Sequence, residues 1–170
     1  MIKTLLTALL CLQLLGCAGM DPVREEDKVF SQVYEAPGFQ KDVLYEKVKI
    51  WIAQTFKSAK AVLEYENKES GTIIGKGSMP YPCRGLKCIA TIGWTVPFTM
   101  KVDINDEKFR LTFLDIGLAW PARRDSLGYH EAHEGLMYQQ SDFDTVRPLL
   151  LGFGEDIKVS LQKNTSAEKW

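Results

Sequence analysis

Apolar residues alternate with polar or small residues over the longest regular stretch of this chain. Between Ala90 and Ile104 every even-numbered residue is apolar, and no odd-numbered residue is a large apolar one. A period of two is that of a β-strand with one buried face, so the pattern predicts a strand over this whole stretch. Pro97 lacks an amide hydrogen, which requires a sheet edge or a bulge at that position.

The same alternation occurs over shorter stretches that are bounded by turn residues. It predicts strands at residues 29–35, 61–65, 72–77 and 109–113. The sequence Asn105-Asp106-Glu107 separates the last of these from the long strand and has the composition of a tight turn. We therefore expect the long strand and the 109–113 strand to form an antiparallel hairpin.

Two other stretches have the period of an amphipathic helix. In residues 41–56 the apolar side chains that share one helical face are Leu44, Val48, Trp51, Ile52 and Phe56. In residues 143–161 the corresponding set is Val146, Leu149, Leu150, Phe153 and Ile157. Both patterns predict helices that face the core. Pro148 fits best in the first turn of the second helix, and Gly152 and Gly154 indicate close packing on the sheet or an irregular start.

Residues 119–140 show no sustained period and are predicted to form a long loop. The loop contains Tyr129-His-Glu-Ala-His-Glu134, the one cluster with residues suited to catalysis or metal binding. If this segment were helical, His130 and His133 could share zinc or copper with Glu131 or Glu134. The histidines are one residue too close for the H-E-x-x-H motif of zinc proteases. We therefore interpret the segment as a solvated loop and expect neither metal nor cofactor.

The predicted order of elements is β-α-β-β-β-β-α, an α+β fold. Residues 44–52, the sequence Thr-Ile-Ile-Gly-Lys-Gly at 72–77, and residues 96–113 together resemble an exported bacterial family of domains of unknown function with a TATA-box-binding-protein-like (TBP-like) fold. The resemblance covers about residues 29–161. It implies a curved antiparallel sheet with two helices packed on one face, and it implies no established activity. Likeness to a DNA-binding fold is no argument for DNA binding.

The N-terminus has the organisation of a secretory signal. Lys3 is followed by a leucine-rich stretch that is too short for the roughly 20 residues of a membrane-spanning helix. The stretch ends in Leu14-Leu15-Gly16-Cys17, which resembles the lipobox of bacterial lipoproteins. The resemblance implies cleavage before Cys17, a diacylglycerol on its thiol and acylation of the new amine. Ala18, in place of the Asp associated with inner-membrane retention, favours the outer membrane.

These features divide the chain into four predicted parts. They are a signal peptide (1–16), lipidated Cys17 with a polar tether (17–28), a single α+β domain (29–163) and a polar tail (164–170). Without residues 1–16 the chain has 20 basic and 22 acidic side chains, because Lys3 is the only charged residue removed. Such a balance provides no electrostatic attraction for nucleic acid. We therefore expect no nucleic-acid partner.

Cys83 and Cys88 are the cysteines that remain after processing and lipidation. An oxidising periplasm favours a disulfide between them. A metal site would need further ligands, and a redox-active pair is more often spaced C-x₂-C. We predict a structural disulfide.

No catalytic arrangement is visible in the sequence. The serines lie in no G-x-S-x-G motif, and Gly75-Lys76-Gly77 lacks the spacing of a phosphate-binding loop. We expect that the protein is not an enzyme. The first hypothesis is an anchored binding module for another envelope protein or a small apolar ligand, with Thr91, Thr95 and Thr99 on an open sheet face. The alternative is a metal-binding protein or metal-dependent hydrolase that uses residues 129–134.

Overall fold

A computed structural model describes residues 21–56, 62–85, 87–125 and 128–167 of this chain. The predicted signal peptide, Cys17 and Ala18 lie outside the described residues. Within the described part of the chain, no helix is long and apolar enough to cross a membrane.

The main sheet has seven antiparallel strands, five of which lie side by side in the order β1-β5-β4-β3-β2. Their bounds are β1 Phe30–Glu35, β2 Val62–Asn67, β3 Thr72–Pro80, β4 Thr95–Asn105 and β5 Lys108–Leu114. β4 and β5 form the predicted hairpin, with Asn105 opposite Lys108. The longest predicted strand is therefore central, since β4 pairs with β3 on one side and β5 on the other.

Pro97 lies inside this central strand, opposite Ser78 of β3. On the other side of β4, pairing with β5 begins at Thr99, whereas Thr95 pairs with Ala119 of a different strand. Pro97 therefore falls where β4 changes partner. The missing amide hydrogen is tolerated at this position because Pro97 belongs neither to the pairing with β5 nor to the pairing with Ala119.

The predicted strand at residues 90–104 is wrong over its first five residues. Lys87–Ala90 form a single helical turn, α2, and a turn follows before β4 starts at Thr95. Gly93 in that turn has φ of 77°, a conformation that favours glycine. Ile92 is 67% exposed, so the alternation at residues 90–94 does not correspond to a strand with a buried face.

Two long helices, α1 (Lys41–Thr55) and α3 (Gln140–Ala167), pack on the sheet and on each other. On α1 the predicted face is buried at Leu44, Val48, Trp51 and Ile52. The helices cover the side of the sheet that carries Val102, Leu111 and Phe113, all fully buried. The fold is therefore the predicted α+β arrangement, an antiparallel sheet with its helices on one face.

The second helix differs from its prediction at both ends. It begins three residues earlier, so Pro148 lies inside the helix instead of in its first turn, and it continues into the predicted tail. Gly154 does pack closely, since a Cβ there would lie 2.1 Å from Cζ of Tyr34. Gly152 has nothing within 4 Å of such a Cβ. Close packing on the sheet therefore explains only the second glycine.

The predicted loop at residues 119–140 is wrong. This region contains β6 (Gly117–Trp120), β7 (Arg123–Asp125), β8 (Gly128–His130) and β9 (His133–Leu136). β6 pairs with β9 and, at one position, with β4, so both strands belong to the main sheet. β7 pairs with β8 as a separate inner hairpin. Strands of three or four residues are too short to produce a detectable period, which is why the pattern indicated a loop.

The second half of the predicted tether packs against the domain. Pro22 bridges to Gln139, and Val23 is 6% exposed. Asp27, only 7% exposed, accepts hydrogen bonds from Arg24 and Arg147. Contacts with the domain therefore begin before residue 29.

Candidate functional site

The sulfurs of Cys83 and Cys88 are bonded, as predicted, with their Cα atoms 5.1 Å apart. The bond lies in the segment that joins β3 to β4. A hydrogen bond from the Tyr81 amide to the Trp94 carbonyl joins the two ends of this segment. The rings of Tyr81 and Trp94 are also in edge contact. The disulfide therefore closes a small loop at one end of the sheet.

The two histidines lie on different hairpins. His130 ends β8 opposite Arg123, whereas His133 begins β9 opposite Trp120. The His133 ring stacks on Trp120 with 4.2 Å between ring centroids. No group of three or more His, Cys, Asp or Glu side chains within residues 21–56, 62–85, 87–125 and 128–167 is arranged to hold a metal. This geometry does not support the metal-dependent alternative.

An apolar cavity of about 370 Å³ lies between the C-terminal turn of α1 and the β2-β3-β4 part of the sheet. Its described lining consists of Ile52, Ala53, Phe56, Leu63, Gly75, Lys76, Gly77, Phe98 and Met100. All but Lys76 are apolar or glycine. We refer to this space as the α1 cavity.

Two glycines in β3 form the floor of the α1 cavity. Gly75 and Gly77 occupy the positions of β3 whose side chains would face the helices, so the strand contributes no side chains beneath the end of α1. A Cβ on Gly77 would lie 2.8 Å from the Phe98 ring and 3.4 Å from the Phe56 ring. The glycine thus lets aromatic rings approach the strand. Sequence analysis missed this role, although glycines at i and i+2 in a predicted strand indicate a close approach.

The aromatic wall of the cavity is fixed by several ring contacts. Phe56 makes edge contacts with Trp51, Phe98 and Phe153 at centroid distances of 5.8, 5.9 and 5.5 Å. Aromatic pairs in this geometry are stabilising beyond the area they bury. The wall is therefore held by residues from α1, β4 and α3 together.

One ion pair lies on the other face of β3 from the cavity interior. The Lys76 ammonium is 2.7 Å from the Glu64 carboxylate, and both side chains are partly exposed. The hydrogen bond to Glu64 raises the pKa of Lys76 above its ordinary value. Lys76 alternates with Gly75 and Gly77 along β3 and lies opposite Thr99 of β4, so its ammonium is on the face away from the helices and the cavity interior is apolar.

A second hollow of about 580 Å³ lies on the opposite face of the sheet, between β4 and the β6–β9 pair. Thr95 and Thr99 line it as predicted, whereas Thr91 lies in the turn before β4. Thr99 is 6% exposed and donates a hydrogen bond to Asp115. This open-face groove is mixed in polarity, so the α1 cavity is the better candidate for an apolar ligand.

Comparison with known proteins agrees with this architecture. Residues 30–118, more than half of the chain, match the family described as "Domain of unknown function (DUF4468) with TBP-like fold". The chain belongs to this family. No curated protein matches it.

Two solved structures share the fold. A TBP-like protein from Parabacteroides distasonis ATCC 8503 is similar with a TM-score of 0.60 and 12% identity, covering 82% of this chain and 96% of its own. A DUF4468 family protein from Bacteroides ovatus ATCC 8483 gives a TM-score of 0.54 and 14% identity, covering 83% of this chain and 88% of its own. At these identities the likeness establishes the fold alone.

Proposed function

We propose that this chain is an envelope lipoprotein that acts as a binding module, and that the α1 cavity holds a small apolar ligand. The proposal places the protein in the outer membrane, facing the periplasm and anchored through Cys17. The anchor is supported by the sequence of residues 1–17. The binding role is supported by the cavity.

The cavity carries the binding argument because its size and lining suit a ligand. Small-molecule sites commonly span roughly 300–1,000 Å³ and are lined mainly by apolar and aromatic side chains with a few polar groups. The α1 cavity has a volume of about 370 Å³, and Lys76 is its one charged lining residue among those the structure describes. An apolar chain or ring would replace water against Phe56, Phe98 and Met100.

Binding is favoured over catalysis by the same lining. Lys76 is the one titratable residue in the described walls, and its ammonium lies on the open face, where it is paired with Glu64. A general base or an activated nucleophile would require a group free to exchange a proton with substrate. We keep another envelope protein as a second class of partner, for which the open-face groove provides a surface.

A neutral fluorescent probe tests the cavity. The mature chain carrying Cys17→Ala is titrated with N-phenyl-1-naphthylamine in the absence of detergent. We expect saturable binding with one probe per chain. Ala53 is exposed at the cavity mouth, so Ala53→Trp should weaken binding by about tenfold or more without disturbing the core. Gln54→Trp is the matched control, because Gln54 is also exposed on α1 and is not among the lining residues.

Two results would contradict the proposal. One is the absence of saturable binding in the parent chain, with unchanged circular dichroism. The other is an equal loss of binding in both tryptophan variants, which would place the probe on the outer surface of α1.

A further inference from the structure

Three exposed apolar side chains surround one depression near the first residues that the structure describes. Val29, Leu136 and Tyr138 are 55%, 69% and 67% exposed. All three line a hollow of about 480 Å³ that also includes Pro22, Val23, Glu25, Lys28 and Phe143. We call Val29, Leu136 and Tyr138 the anchor-side patch. A cluster of exposed apolar groups is typical of a surface that contacts another phase or partner.

The chain enters the domain beside this patch. The Val23 amide donates to the Tyr138 carbonyl at 2.8 Å, and the Gln140 amide donates to the Asp21 carbonyl at 2.9 Å. The Asp27 carboxylate, paired with Arg24 and Arg147, holds the next residues of the segment. The position of Asp21 relative to the patch is therefore fixed by several hydrogen bonds.

The proposed lipid attachment lies four residues before Asp21. A fully extended chain spans at most about 3.3–3.6 Å per residue, so Cys17 is within about 14 Å of Asp21. A lipid on Cys17 would hold this end of the domain at the bilayer surface. The β2–β3 turn at Glu69 lies at the opposite edge of the sheet and cannot share this position.

We propose that the anchor-side patch lies against the membrane that holds Cys17, with Leu136 and Tyr138 in the interfacial region. This inference rests on the lipid anchor of the proposed function. Tyrosine and apolar side chains are favoured at the membrane interface, where a ring is partly apolar and its hydroxyl stays hydrated. Three side chains would bind a bilayer weakly on their own. A lipid tether raises their effective concentration at the surface enough for weak contacts to become occupied.

The charges around the patch identify a neutral lipid surface as the occupant. Lys28 is paired with Glu25, and Arg24 is paired with Asp27 and lies near Glu26. These neighbours provide no excess of positive charge, so anionic headgroups would gain little attraction. The contact is therefore apolar, and it should be insensitive to salt.

Depth-dependent quenching tests the orientation in the lipidated full-length mature protein. The protein is reconstituted in phosphatidylcholine vesicles that contain brominated acyl chains. An environment-sensitive fluorophore is attached at Glu25→Cys or, as the matched control, at Glu69→Cys, both in a Lys28→Gln background. Replacing Lys28 keeps the charge balance beside the patch when Glu25 is removed, and the three patch residues stay intact. Both glutamates are exposed. We expect at least threefold stronger quenching at position 25 than at position 69, equally in low and high salt.

Surface variants then test whether the anchor-side patch is responsible for the contact with the bilayer. Leu136→Ser with Tyr138→Ser should lower the quenching at position 25 by at least half. Val43→Ser with Ile50→Ser is the control, because these residues are 45% and 48% exposed on α1. An unchanged signal in the patch variant would overturn the inference.

Intact mass and vesicle flotation separate failure of the inference from failure of the anchor. A lipidated, floating protein with equal weak quenching at both positions would leave the anchor intact and overturn the orientation. A mature protein without lipid mass would overturn the anchor and the orientation with it. Stronger quenching on anionic vesicles, lost in high salt, would overturn the neutral-lipid contact.

Discussion

The two faces of the main sheet are stabilised in different ways. On the helix-covered face, β4 and β5 contribute fully buried side chains such as Val102, Leu111 and Phe113. On the open face, alternate residues of the same strands are polar. Asp103 there contacts Lys101 and Arg110 at 3.0 Å each. One backbone thus supports a face held by burial of apolar area and a face held by solvent-screened pairs, which contribute far less.

The contrast also distinguishes the two hollows. The α1 cavity is a packing gap in the apolar face, located where β3 has glycines instead of side chains. The open-face groove is formed by the β6–β9 pair extending from β4. Changes on the apolar face should therefore affect stability strongly, whereas changes on the open face should affect it little.

The largest effect is expected from neighbouring positions of β5. Phe113→Ala removes a fully buried ring that contacts Phe30, Phe98 and Phe153. We expect the free energy of unfolding to fall by about 3–5 kcal/mol. Thr112→Ala, on the opposite face of the same strand, should cost about 1 kcal/mol or less. Urea denaturation of the two variants measures both values, and similar losses would contradict the comparison.

A pair of glycine substitutions in α3 sharpens the comparison between closely packed and open positions. Gly154→Ala places a methyl group 2.1 Å from the Tyr34 ring, so helix and sheet must move apart. A cost of about 1–3 kcal/mol is expected from overpacking. Gly152→Ala has nothing within 4 Å and should raise stability by up to about 1 kcal/mol through helix propensity. Thermal unfolding should shift in opposite directions for the two variants.

The smallest effect concerns the open face and pH. Burial raises the pKa of Asp103, but the hydrogen bonds from Lys101 and Arg110 outweigh it and hold that pKa below its ordinary value. A lowered carboxyl pKa means that the stabilisation is present above the ordinary Asp pKa of about 3.9 and is lost as pH falls through the lower folded value. Asp103→Asn should therefore reduce the stability difference between pH 7 and pH 3 by about 1 kcal/mol or less. An unchanged pH profile would contradict this expectation and would show that the ion pairs of Asp103 with Lys101 and Arg110 are fully screened by solvent.

Long periodic stretches made much of this fold predictable. The alternation from Val96 to Ile104 and then through Phe109 identified the central hairpin, and the face of Leu44, Val48 and Ile52 identified α1. In each case many residues repeat one signal, because a single face of the element is buried along its length. The disulfide followed from a different rule, the pairing of cysteines in an oxidising compartment.

The candidate site was much less predictable. Gly75 and Gly77 were visible as a sequence feature, but a gap beneath α1 exists only because that helix ends above them. Similarly, Val29 is distant in sequence from Leu136 and Tyr138, and the three share a surface only because the 21–29 segment meets the residues between β9 and α3.

The sequence by itself determined the order of the long strands and helices and the buried face of each, and it predicts an exported, lipid-modified protein. Only the tertiary structure decided where β4 begins, that β6 pairs with β9, and where cavities and exposed patches lie. The physical reason is that periodicity records burial along one segment. Short strands, glycine-floored gaps and surface clusters depend instead on which distant segment lies opposite.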